Sequence, residues 1–126
     1  MIDILADFPD DVLAIAGRGE ITADDYRKVL IPAAREKMKK HKHLRLFCHL
    51  GADFKTFAAG AMWEDTKLLI GHWGEWGRVA VVTDRSWIAE CMRMFSPFFH
   101  HPVRVFPNDS LADARRWIVE PETKAA

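Results

Sequence analysis

Val79-Ala80-Val81-Val82-Thr83 is the stretch that decides the fold. It has no polar face. β-Branched and small apolar residues follow one another without alternation, which fits a strand covered on both sides. Leu44 to Leu50 upstream is nearly as continuous, and Val103 to Phe106 downstream is a third run of the same kind. Helical spacing appears between and after these runs, over roughly Ala58 to Trp76, Ser86 to Phe95 and Leu111 to Glu120. Strands that alternate with helices predict βαβ units, a parallel sheet and right-handed crossovers.

Working outward to the N-terminal side, Ile2 to Leu5 is a short apolar segment broken by the turn chemistry of Phe8-Pro9-Asp10-Asp11. Val12 to Ala16 reads as a strand closing at Gly17 to Gly19, and the pair predicts an antiparallel hairpin. Thr22 opens a helix, with Asp25 three positions on as a variant capping box. Tyr26, Val29, Leu30, Ala33, Ala34 and Met38 recur at helical spacing, and Pro32 inside the pattern predicts a kink. The basic end from Lys37 to His43 complements the helix dipole and reads as a solvated terminus. Ser110, with Asp113 three residues on, is expected to cap the last helix. The expectation is a single domain over residues 1–126. Its fold class is α/β, with a mixed, mostly parallel five-stranded sheet and about four helices.

Composition bounds the function. The chain has 126 residues, 49% hydrophobic and 29% charged, enough to bury a core without disulfides or metals. Its 18 basic and 18 acidic residues cancel, which argues against a nucleic-acid partner. Cys48 and Cys91 sit in apolar surroundings and read as reduced thiols. Met1 to Asp11 carries acids where a secretory leader has a basic region followed by an apolar run. No apolar stretch approaches the roughly 20 residues of a membrane span. The cytoplasm is the expected location, with any membrane contact peripheral.

Two helical segments carry more apolar surface than a sheet face requires. On a wheel, Ala58, Ala61, Met62, Trp63, Leu68, Leu69, Ile70 and Trp73 cover an arc of roughly 220°. Trp63 and Ile70 lie nearly opposite Ala61, so they either pack under a loop or in a homodimer contact, or stay exposed as a binding surface. Asp65 and His72 fall inside the arc, about 10 Å apart along the axis, too far to touch. The Ser86 segment has stripes of Trp87, Cys91, Met94 and Phe98, and of Ile88, Met92, Phe95 and Phe99. Pro97 should end it, leaving Phe98-Phe99-His100-His101-Pro102 as a bulky apolar turn.

The chemistry of catalysis is not written here. There is no GxGxxG, no GxxxxGK[ST], no CxxC, no HExxH and no nucleophile elbow. A metal site would have to gather His49, His72 or an acid around the adjacent His100 and His101. No second carboxylate is placed beside Asp65 for acid–base work. The expectation is a protein that is not an enzyme and uses no cofactor and no metal.

The order of elements resembles the SpoIIAA-like branch of the STAS fold. The likeness is carried by Ile21 to Tyr26, Val29 to Ala33, Phe57 to Asp65, Arg78 to Asp84, Trp87-Ile88 and Val103 to Pro107. It spans nearly the whole chain. The resemblance implies a regulatory or binding module. The best-known STAS domains antagonise anti-sigma factors through a phosphorylatable serine in a turn after the buried strand. Here that region reads Leu50-Gly51-Ala52-Asp53-Phe54-Lys55-Thr56-Phe57, with Thr56 as its only hydroxyl. The branch is also similar in fold to the lipid-carrying SEC14 (CRAL-TRIO) domains, which implies apolar-ligand binding or peripheral membrane association.

Two readings follow. One is a carrier or sensor of an apolar small molecule or lipid, with a pocket between the Ala58 and Ser86 helices. Phe54, Phe57, Met62, Trp63, Trp87, Met94, Phe98 and Phe99 would line or gate it, with Asp65 or His72 as polar anchor. The other is a protein-interaction module of the anti-sigma-antagonist type, acting through the Asp53 to Phe57 loop and the neighbouring helix start.

Overall fold

The computed structural model describes residues 1–41, 43–58, 76–95, 97 and 102–120. Five strands form one sheet: β1 (Ile2–Ile4), β2 (Val12–Ile21), β3 (Leu44–Phe57), β4 (Trp76–Thr83) and β5 (Val103–Phe106), in spatial order β1-β2-β3-β4-β5. β1 runs antiparallel to β2, and every other neighbouring pair is parallel. Three helices are described. α1 comprises the consecutive pieces Ala23–Asp25, Tyr26–Leu30 and Ile31–Met38; α2 is Ser86–Phe95; α3 is Leu111–Val119. The fourth expected helix lies outside the described residues, apart from its two ends. Ala58 is in no helix, its N–H donating to the Ile21 carbonyl, and Trp76 begins β4.

The strand order explains where the helices sit. A parallel sheet that grows in one direction by crossovers of one hand puts those crossovers on one face. Tyr26, Leu30 and Ala34 of α1 and Ile88 of α2 share a core with Leu13, Ile15, Leu44, Leu50, Val79 and Val81. After β5 the chain crosses to the opposite face. There Ala114 and Ile118 of α3 meet Val12, Ala14, Phe47, Ala80, Val82 and Phe106. Alternate residues over Val12–Ile15 of β2 and Val79–Val82 of β4 thus feed different cores, and all of β4 is buried. The order of the parallel strands never reverses, so the sheet has no switch-point crevice of the doubly wound kind.

Thr22 and Asp25 form the capping box that the sequence predicts. The Thr22 hydroxyl accepts from the Asp25 N–H at 3.3 Å, and the Asp25 carboxylate accepts from the Thr22 N–H at 2.8 Å. Burial pushes the Asp25 pKa up, but hydrogen bonds from Thr22 and the Met1 ammonium 3.2 Å away together outweigh it and leave it below the usual carboxylate value. Pro32 acts differently from the expected kink. The turn before it is π-helical, with the Ile31 N–H reaching back to the Tyr26 carbonyl, and Pro32 then sits in the first turn of Ile31–Met38. Proline has no N–H to offer, and a first turn asks for none.

Ser110 does not cap α3: its side chain makes no cap bond, and a 3-10 turn over Asn108–Ser110 leads into the helix. The helix is held from its other end. Arg45 donates to the carbonyls of Ile118 at 2.8 Å and Glu120 at 2.6 Å, and Arg78 donates to that of Trp117 at 3.0 Å. Both arginines are buried. They supply donors to carbonyls that a helix C-terminus leaves without intrahelical partners, where the dipole favours a cation.

Candidate functional site

The site begins with a mismatch in strand length. β4 ends at Thr83, opposite Leu50, but β3 runs on to Phe57. Beyond Leu50, among the described residues, β3 pairs only with β2, through Gly19 with Phe54, Glu20 with Thr56 and Ile21 with Phe57. Asp53 to Phe57 is therefore strand, which corrects the expected loop, and β2 continues past Ala16 to Ile21. The register shifts on both sides of Gly19, whose φ of 59° suits glycine and lets the paired strands bulge and continue. The outcome is a two-stranded ribbon projecting past the end of β4.

A chain of aromatic rings climbs this step. Phe54 is 0% exposed and belongs to the α1–α2 core. Its ring lies 5.1 Å from that of half-buried Phe57, at 59°. Phe57 meets Trp87 of α2 edge to face, at 6.1 Å and 87°. Trp87 is 41% exposed. The rings thus lead from the sealed interior to solvent.

α2 divides its apolar arc between inside and outside. Ile88 is 5% exposed, and Met92 packs half-buried against the same core. Cys91 is half-buried. Met94 is 73% exposed, two turns beyond Trp87 on the same stripe. A groove of about 220 Å³ between α2 and β5 is lined by Ala89, Met92, Arg93, Val103 and Val105. The pocket expected between the Ala58 and Ser86 helices falls mostly outside the described residues, as do Met62, Trp63, Asp65, Ile70, His72, Phe98 and Phe99. Of the expected site residues, Phe54, Phe57 and Trp87 are brought together, with Phe54 buried behind Phe57.

One polar residue of the step escaped the sequence reading. Arg85, in the turn between β4 and α2, donates from Nη2 to the Phe54 carbonyl at 2.8 Å. Its backbone N–H donates to the Thr83 hydroxyl at 3.1 Å. The neighbouring Asp84 is committed elsewhere. One of its oxygens accepts the Asn108 N–H at 2.9 Å and the other the Asn108 amide at 3.1 Å, joining the ends of β4 and β5. The Arg85–Phe54 bond spans 31 residues, so no local pattern announces it.

Thr56 is exposed on the ribbon, its hydroxyl 3.5 Å from the Phe57 carbonyl. His49, on the α3 side of β3 opposite Ala16 and Val82, has its pKa lowered by burial. Cys48 and Cys91 are both free thiols. Among the described residues, no group of three or more His, Cys, Asp or Glu could hold a metal ion. None of the described helices is long and apolar enough to cross a membrane. The step offers aromatic surface and one guanidinium, a combination suited to holding a molecule.

Comparison with known proteins places this geometry. A protein-family model described as SpoIIAA-like matches residues 12–119. The fold is similar to that of an uncharacterised DUF3478-family protein with a SpoIIAA-like fold from Shewanella loihica PV-4. The TM-score is 0.75 and the identity 22%, with 93% of each chain covered. No curated protein matches the chain. The five-stranded mixed sheet, the helices and the matched span agree: this chain belongs to the SpoIIAA-like family.

Proposed function

We propose that this protein is a non-enzymatic binding module that carries or senses an apolar ligand, or meets a lipid surface, through the aromatic step at the start of α2. The observation that carries the reading is the exposure of Trp87 and Met94 on a helix whose Ile88 is buried and whose Met92 packs half-buried against the core. Leaving Trp87 41% and Met94 73% exposed forgoes part of the about 1.5 to 3 kcal/mol that fully burying a large apolar side chain contributes. A surface of this kind binds something or is a liability. Methionine adds adaptability to such a surface, and Trp87 adds area at little conformational cost.

Native mass spectrometry of freshly purified protein, with liposome flotation beside it, tests the reading. The expected result is a co-purified apolar molecule or lipid-associated protein, either one reduced in Trp87→Ala. Ligand-free protein that stays away from liposomes contradicts it. A second reading, a regulatory protein-interaction module, draws support from Thr56 standing exposed on the ribbon. A partner captured by the wild type and lost in Thr56→Asp would favour that reading.

A further inference from the structure

We infer that the step binds a single-chain amphiphile with an oxyanion head, the head on Arg85 and the apolar body on Phe57 and Trp87. This rests on the apolar-ligand reading above and adds the polar end of the ligand. Four residues close a circuit around the step. Arg85 holds the Phe54 carbonyl at 2.8 Å, the Phe54 ring packs at a tilt against Phe57, Phe57 meets Trp87, and Trp87 follows Arg85 by two residues. The guanidinium is thereby tied to the β3 backbone three residues before Phe57, and Arg85 stands two residues before Trp87 in sequence.

The charge selects the occupant. One nitrogen of the Arg85 fork serves the Phe54 carbonyl, and no carboxylate among the described residues pairs with the fork. Asp84, the nearest acid in sequence, spends both oxygens on Asn108. α2 starts one residue after Arg85, so the positive end of its dipole adds to the same field. A guanidinium fork matches the planar oxygens of a carboxylate or the oxygens of a phosphate ester. An exposed arginine gains little from an anion in water. An apolar body laid over Phe57 and Trp87 would exclude water from one side of the pair and strengthen it.

Calorimetric titration with decanoate, decyl phosphate and decan-1-ol, all as monomers, tests the assignment. Expected is binding of both anions about tenfold or more tighter than the alcohol, as one charge-assisted hydrogen bond of about 1.5 kcal/mol or more implies. Arg85→Gln should bring the anions down to the level of the alcohol and leave the alcohol unchanged. Arg85→Lys should restore part of the preference, which a merely misfolded step would not allow. Trp87→Ala should weaken all three together. If the alcohol binds as tightly as the anions, or Arg85→Gln leaves the preference intact, the head-group assignment is overturned while the apolar-ligand reading stands. Binding to anionic phospholipid vesicles with no binding of any monomer also overturns it. No binding of any probe contradicts both.

Discussion

The two faces of the sheet end their helices in opposite ways. On the α3 face, aromatic and cationic groups are used up within the molecule. Arg45 and Arg78 fasten the helix C-terminus, Arg78 and Arg104 lie 5.2 and 5.4 Å from the Trp117 ring, and Arg115 lies 4.7 Å from that of Phe8. At the α2 step Trp87 and Met94 reach solvent, and among the described residues the Arg85 guanidinium is tied to a backbone carbonyl and to no carboxylate. Both helices are amphipathic, so amphipathicity by itself does not separate closure from availability. The difference arises because β3 outruns β4 and leaves a shelf with no strand beside it on that edge among the described residues.

Substitutions can break that contrast or sharpen it. The largest effect is expected from Ile118→Ala, which empties a fully buried site under α3 and should cost about 3 to 4 kcal/mol in urea denaturation. Trp87→Ala should cost far less than its size suggests, because much of its ring already faces water. Equal losses from the two would erase the distinction between the faces. Arg45→Met should cost about 2 to 3 kcal/mol, by leaving the Ile118 carbonyl without its arginine donor and the Glu120 carbonyl with only the longer bond from Arg78. Loss of protection at the last turn of α3 in amide hydrogen exchange, with α2 unchanged, would locate the damage.

A smaller effect is expected from pH. Burial holds the folded-state pKa of His49 below the 6.5 of a free imidazole. The unfolded chain therefore binds more protons as pH falls through 6.5 toward the folded value, and stability is lost over that window. His49→Gln should flatten the loss between neutral and mildly acidic pH without changing stability at high pH. An unaltered slope would mean that His49 titrates as a solvated imidazole. The smallest effect belongs to Met94→Gln, expected to leave stability within about 0.5 kcal/mol, as for an ordinary surface position.

Much of this architecture is legible before any coordinates. The unalternating run Val79 to Thr83 places a strand buried on both faces, and Thr22 with Asp25 places the start of α1. The readings that failed did so where tertiary context overrode local signals. Asp53 to Phe57 looks like a loop because Asp53, Lys55 and Thr56 are exposed, yet a strand in a projecting ribbon has few neighbours to cover it. Trp76 looks like the end of a helix, but it begins β4, whose Arg78 can lie in a buried strand because the carbonyls of α3 receive it. Ser110 carries the signature of a cap, and the 3-10 turn before it takes over the entry to the helix. At the site, Phe54, Phe57 and Trp87 are readable as surplus aromatics. Arg85 is not, because its partner is a backbone carbonyl in a distant strand.

The account depends on Trp87 being an available surface while Trp76 is core. Fluorine NMR of 5-fluorotryptophan-labelled protein, with each resonance assigned by tryptophan-to-phenylalanine substitution, separates the two directly. The Trp87 signal should shift between H2O and D2O and move again on addition of decanoate, whereas the Trp76 signal, from a residue 0% exposed, should do neither. A Trp87 signal as indifferent to solvent and amphiphile as that of Trp76 would contradict the account.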